Sequence, residues 1–158
     1  MYIWPIGDSL HPYYKRTKFI AKDREVYSLF IAGQIGNTTG LLIKDEIPYY
    51  TDSVFGVRFI NLIPNSPPLN ITLSTSSPTG NEVSNLSYLQ YTDFKTYPGK
   101  ASNTAYTFQA RKASDNTVVS SFTLSPVPRF ANITLVIKGM IGGTGTAAPG
   151  IFRVNNDR

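Results

Sequence analysis

A single histidine, three carboxylates around one junction, a glycine-rich run and a series of turn-borne aromatics are the residues here whose types and spacing could do chemistry. His11 is the only histidine, so a Ser-His-Asp hydrolase would have to be built on it. It sits in Leu10-His11-Pro12-Tyr13, no Gly-x-Ser-x-Gly elbow accompanies it, and it reads as a solvated loop residue. Asp45, Glu46 and Asp52 could offer carboxylates to a hard cation such as Ca²⁺, but their irregular spacing reads as linker solvation. Gly139-Met140-Ile141-Gly142-Gly143-Thr144-Gly145 lacks the Gly-Lys-[Ser/Thr] ending of a phosphate cradle and reads as a strand exit needing positive φ or a bulge. With no cysteine there is no thiol nucleophile, thiolate metal site or disulfide. The sequence therefore assigns no catalytic residue, no metal site and no cofactor.

The aromatics carry more. Trp4, Tyr13, Tyr14, Tyr49, Tyr50, Tyr88, Tyr91 and Tyr97 fall largely in or beside turns. Rings exposed on a rigid scaffold can stack on sugar faces or anchor a protein partner, because each joins apolar area to a polar edge. Trp4, Tyr13, Tyr14, Tyr49 and Tyr50 are the candidate ligand-binding residues. The competing reading is that they pad a module junction, with Tyr49-Tyr50 the clearest such pair. Net charge is +5, and the densest basic stretch is Lys15, Arg16, Lys18, Lys22 and Arg24, broken by Asp23. A nucleic-acid face clusters its cations with stacking aromatics; here the other cations are single and scattered, so no nucleic-acid partner is expected.

The elements that must position these residues are strands. Aromatics make up 13% of the chain, and Thr, Ser, Val, Ile and Tyr are abundant, which favours pleated structure. Eleven prolines and twelve glycines punctuate it with turns. No apolar run approaches the ~20 residues of a membrane helix, and the start lacks the basic and apolar pattern of a secretory signal. Strand-like runs are expected at residues 55–62, 69–74, 86–91, 105–111, 118–124, 133–137 and 151–154, with turns at 76–81, 97–99 and 114–116. About seven strands in ~100 residues is the count of a Greek-key sandwich.

Residues 26–36 recur, without a gap, at residues 132–142. Leu29/Leu135, Ile31/Ile137, Gly33/Gly139, Ile35/Ile141 and Gly36/Gly142 are identical. A period of ~100 residues is about one immunoglobulin-like sandwich and exceeds solenoid repeats. Residues 1–50 then read as the C-terminal half of a first sandwich, with residues 41–43 matching 151–153, and residues 51–158 as a complete second one. An isolated half sandwich would expose a sheet face and open edges. Either its missing strands lie upstream of Met1 or residues 1–50 fold back onto the complete module.

Residues 57–65 followed by 69–73 resemble the opening of an uncharacterised family of immunoglobulin-like envelope repeats, frequent in Bacteroidota and filed as a domain of unknown function. Tyr91-Thr92-Asp93-Phe94 before Pro98-Gly99, the Tyr106-Thr107-Phe108 strand and residues 27–33 are similar to it too. The resemblance implies an all-β, immunoglobulin-like Greek-key sandwich in tandem. It also implies an exported, often lipid-anchored protein of the periplasm or outer-membrane surface, with no established catalytic residues. Under it, Asp8-Ser9-Leu10 and Asp52-Ser53-Val54 fit an O-glycosylation pattern at Ser9 and Ser53. The expected role is a non-catalytic structural or protein-binding module: a spacer, adhesive repeat or accessory subunit. The alternative is a carbohydrate-binding module, so the partner is a protein or a glycan at the cell surface.

Overall fold

The computed structural model describes every residue except 1, 9, 16–19, 35, 157 and 158. The described residues form an all-β structure without an α-helix, and they divide into two compact units, Met1–Glu46 and Ile47–Arg158.

In the first unit β1 (Tyr2–Ile3) and β2 (Tyr14–Lys15) make a short antiparallel ribbon. β3 (Tyr27–Gln34) and β4 (Asn37–Lys44) form an antiparallel hairpin. Tyr14 is buried and its ring lies on Gly40, where any Cβ would overlap it, so a glycine in mid-strand makes room for an aromatic. At the start of the hairpin, Lys44 Nζ lies 2.9 Å from Glu25 Oε1, and the Tyr27 hydroxyl donates to Glu25 Oε2.

The second unit is sandwich-like. Its strands are β5 (Val54–Asn61), β6 (Leu69–Leu73), β7 (Asn81–Leu86), β8 (Lys95–Pro98), β9 (Tyr106–Lys112), β10 (Val118–Leu124), β11 (Asn132–Lys138) and β12 (Gly150–Asn155). They form two four-stranded sheets of order β10-β9-β6-β7 and β12-β11-β5-β8. All neighbours are antiparallel except β5 and β11, which run parallel with Gly56–Asn61 facing Asn132–Ile137. The chain changes sheet between β5 and β6, β7 and β8, β8 and β9, and β10 and β11. Along one side the sheets meet where β10 approaches β12.

The core lies between the sheets. Phe55, Val57 and Phe59 of β5 and Ile133, Leu135 and Ile137 of β11 meet Leu69, Ile71, Phe108, Ala110 and Leu124 from the other sheet. The period-two alternation of these strands puts them on one face. Rings order the centre: Phe59 meets Phe108 edge-on at 5.4 Å, and Tyr97 meets Phe108 edge-on at 5.3 Å. β5 is buried on both faces, which suits the near-continuous apolar run of a parallel-paired strand. On its outer face Arg58 is also buried; its Nε donates to Thr134 Oγ1 at 3.1 Å and its guanidinium covers the Phe94 ring.

Two segments differ from expectation. Of the run expected at 86–91, Leu86 closes the edge strand β7 and the residues after it turn; the polar sequence of β7 hides it, and bulges interrupt its pairing with β6. Asn85 sits at φ 56 there, with its N–H held by Asn70 Oδ1 at 2.9 Å. Residues 95–98, whose end was expected as a turn, form β8, where Pro98 is tolerated because the strand is an edge. With β8 the second unit has eight strands rather than about seven, divided four and four, whereas an immunoglobulin constant domain divides them four and three.

The repeated segments adopt matching local structure. β3 and β11 each pair antiparallel with the next strand. Gly33 and Gly139 leave them at φ +100 and +101, and Gly36 and Gly142 turn the chain at φ +87 and +79. Phe30 faces Leu41 as Val136 faces Phe152, so the correspondence along the second strand is one residue later than the sequence match of 41–43 with 151–153.

Candidate functional site

The aromatics separate into three kinds. Tyr2 and Trp4 stack on each other at 5.1 Å with nearly parallel rings, and Trp4 is 46% exposed. Tyr13 is exposed beside β2, and its backbone carbonyl accepts the Thr38 hydroxyl. Tyr14, expected in the same ligand-facing set, is instead 7% exposed and serves the interior of its unit. Alternation along an extended pair sends Tyr13 and Tyr14 to opposite faces.

Tyr49 and Tyr50 lie on the segment leading into β5, and here a concave site forms. They border a groove of about 390 Å³ together with Pro48, Phe130, Asn132 and Asn156. That volume is within the ~300–1,000 Å³ range of small-molecule sites. Tyr49 is 76% exposed and Phe130 58%, so both present rings to solvent. Tyr50 is half-buried, and burial pushes its phenol pKa up.

The groove is fixed by main chain. Phe130 N–H donates to Val54 O at 2.8 Å, Gly56 N–H to Ala131 O at 2.9 Å and Asn156 N–H to Asn132 O at 2.9 Å. The Asn132 side-chain amide donates to Pro48 O at 2.8 Å, and Thr134 Oγ1 donates to Asn156 Oδ1 at 2.6 Å. Two buried polar atoms on residues of this groove have no hydrogen-bond partner, Tyr50 Oη and Asn132 Oδ1. Both crowd the space above Gly56, where a Cβ would collide with each of them. Sequence reasoning found Tyr49 and Tyr50 but missed Phe130, Asn132 and Asn156. An aromatic directly after Pro126-Val127-Pro128-Arg129 was the available signal.

A second concavity of about 380 Å³ lies beside β7, between Val83–Leu86 and Leu89–Thr92. Its rim includes Leu89 at φ 63 and the exposed Tyr91, which bridges to Ile60.

The remaining candidates stand apart from these grooves. His11 Nδ1 lies 2.9 Å from Asp8 Oδ2, and Asp8 Oδ1 accepts the N–H groups of Leu10 and His11. The Leu10 N–H, then the His11 ring, hold the Asp8 carboxyl pKa below its usual value. This exposed turn orients the imidazole, while Ser9 between the two lies outside the described residues. Arg16 and Lys18 of the basic stretch lie outside them as well. Asp45 is buried and accepts the Ser28 hydroxyl at 2.6 Å, whereas Glu46 and Asp52 are exposed. Among the described residues no three His, Cys, Asp or Glu side chains group as a metal site would need. Ser53 is half-buried and its Oγ donates to Gly99 O at 3.0 Å, tying two loops together.

No family model matches this sequence, and no curated protein matches it. No helix among the described residues is long and apolar enough to cross a membrane.

Proposed function

We propose that this chain is a non-catalytic structural or protein-binding module of an exported cell-envelope protein, built from tandem immunoglobulin-like Greek-key sandwiches. One observation carries the tandem reading. In the first hairpin Asp45 N–H donates to Val26 O at 2.8 Å and Ser28 Oγ to Asp45 Oδ2 at 2.6 Å. In the second hairpin Asn156 N–H donates to Asn132 O at 2.9 Å and Thr134 Oγ1 to Asn156 Oδ1 at 2.6 Å. Residues 26 and 28 are the counterparts of 132 and 134, so the same strand-closing bonds recur although Asp replaces Asn and Ser replaces Thr. Such agreement at side-chain level supports copies of one ancestral unit over two unrelated hairpins. Leu29 and Ile31 are half-buried where their counterparts Leu135 and Ile137 are fully buried. An apolar face of that kind favours a role in which modules are covered by neighbours.

Cell fractionation of the source organism, probed with antibody to this chain, tests the envelope assignment. Recovery in the periplasmic or outer-membrane fraction is expected, and recovery in the cytosol overturns it. Hydrolysis of p-nitrophenyl acetate or casein that disappears in His11→Ala would overturn the non-catalytic part.

Glycan binding is the second reading. It is favoured by the solvent-facing rings of Tyr49 and Phe130, which border one groove.

A further inference from the structure

We propose that the groove bounded by Tyr49, Tyr50, Phe130, Asn132 and Asn156 is a binding site for an uncharged saccharide. The proposal rests on the glycan reading and names its site and ligand class; it is independent of where in the cell the protein resides.

Charge selects against other ligands first. None of the side chains lining the groove carries a carboxylate, ammonium or guanidinium group. A phosphate or carboxylate would find no cation, and an ammonium group no carboxylate. The ligand is therefore neutral, and its recognition depends on apolar faces and hydroxyls.

The walls and the polar atoms match such a ligand. Tyr49 and Phe130 present exposed rings on the same groove, and the C–H face of a pyranose offers apolar area to such rings. Phe130 sits at φ +53, a region bulky side chains rarely adopt. Backbone strain of this kind concentrates at binding sites, and here it accompanies an aromatic turned toward water. Two polar atoms of this groove's residues, the Asn132 amide oxygen and the Tyr50 phenol, are buried without a hydrogen-bond partner. An amide oxygen only accepts, whereas a phenol both donates and accepts. A sugar hydroxyl also does both, so it is chemically matched to either atom. Asn132 is 4% exposed and pinned by its amide to Pro48, so its oxygen is pre-oriented.

The test is affinity electrophoresis of the whole chain in native gels containing dextran, mannan, mixed-linkage β-glucan or arabinoxylan. Three proteins are compared: wild type, Tyr49→Ala/Phe130→Gly and Trp4→Ala/Tyr13→Ala. Glycine relaxes the strained backbone at residue 130, so a loss of binding in that variant is not a loss of fold, and urea midpoints check this. Retardation by at least one polysaccharide is expected, weakened about tenfold or more in Tyr49→Ala/Phe130→Gly and kept in Trp4→Ala/Tyr13→Ala; tenfold is ~1.4 kcal/mol. Retardation lost only in Trp4→Ala/Tyr13→Ala overturns the groove while leaving glycan binding standing. Absence of retardation in every gel overturns both, as does selection of a tight-binding peptide from a displayed library by a protein that no polysaccharide retards.

Discussion

The phenol of Tyr97 reaches into the sandwich from an edge strand, and its surroundings set how the protein answers to alkali. The residue is almost wholly buried, stacked against Phe55 and edge-on to Phe108, and its hydroxyl donates to Glu82 Oε2 at 2.9 Å. Lys95 Nζ holds the same carboxylate oxygen at 2.6 Å. Burial, then the Glu82 carboxylate, pushes the Tyr97 pKa far up. Tyrosine is charged when deprotonated, so above its unfolded value of ~10 the unfolded chain releases a proton that the folded chain keeps. Stability is then full below pH ~10 and falls above it, by up to about 1.4 kcal/mol per pH unit for each such tyrosine. Tyr50, Tyr88 and Tyr106 are pushed the same way by burial. Tyr97→Phe should lose about 1–2 kcal/mol at pH 7, where the hydrogen bond to Glu82 goes. It should then decline less steeply than wild type between pH 10 and 11, so the two curves converge. Urea unfolding followed by far-UV circular dichroism across that range would show this; parallel curves would mean Tyr97 ionises freely in the folded protein.

At the scale of elements, the repeated glycines end the repeated strands for different reasons. A Cβ at Gly139 would lie 2.7 Å from the Ala148 carbonyl carbon and 2.9 Å from Pro149 Cα, at φ +101. A Cβ at Gly142 meets nothing within 4 Å, at φ +79. Gly142→Ala should cost only the backbone penalty, about 1–2 kcal/mol. Gly139→Ala should cost at least ~1 kcal/mol more, because the methyl displaces backbone. Equal urea midpoints for the two variants would show that the β11 exit yields easily. These glycines were legible in the sequence because they recur in Gly33 and Gly36, and β9, β10 and β11 were legible from alternation. β7 was not, since Asn81-Glu82-Val83-Ser84-Asn85 offers an edge few apolar residues and its bulges break the period. Arg58 and Thr72 lie outside the apolar core, yet both are buried, Arg58 against Phe94 and Thr72 against the Arg111 side chain, whose Nε donates to Thr72 Oγ1 at 3.1 Å. Tyr49 and Tyr50 were legible as candidate ligand-binding aromatics. Phe130, Asn132 and Asn156 were not, because the topology that gathers strand starts with strand ends leaves no local pattern.

On the scale of the whole molecule, the two units differ sharply in what holds them. Within Met1–Glu46 the buried apolar side chains among the described residues are Tyr14, Ala32 and Ile43. Ile47–Arg158 holds a cluster of fourteen buried residues, from Phe55 to Ile137, with two sheets around it. A two-stranded hairpin is at best marginally stable by itself, whereas four-stranded sheets sharing a core unfold as a block. The single tryptophan lets these be followed separately, since Trp4 belongs to the first unit while most strand residues belong to the second. Trp4 fluorescence should therefore change at lower urea than the far-UV circular dichroism signal of the sheets, and amides of β1 and β2 should exchange with solvent well before those of β5 and β11. Coincident transitions would mean that the first unit draws its stability from the same cooperative block. The half-buried Leu29 and Ile31 would then be working as core, and the role in which neighbouring modules cover that face would lose its support. Separate transitions instead leave the hairpin as the segment with most to gain from a neighbouring module, a gain measurable as the rise of the Trp4 midpoint when one is supplied.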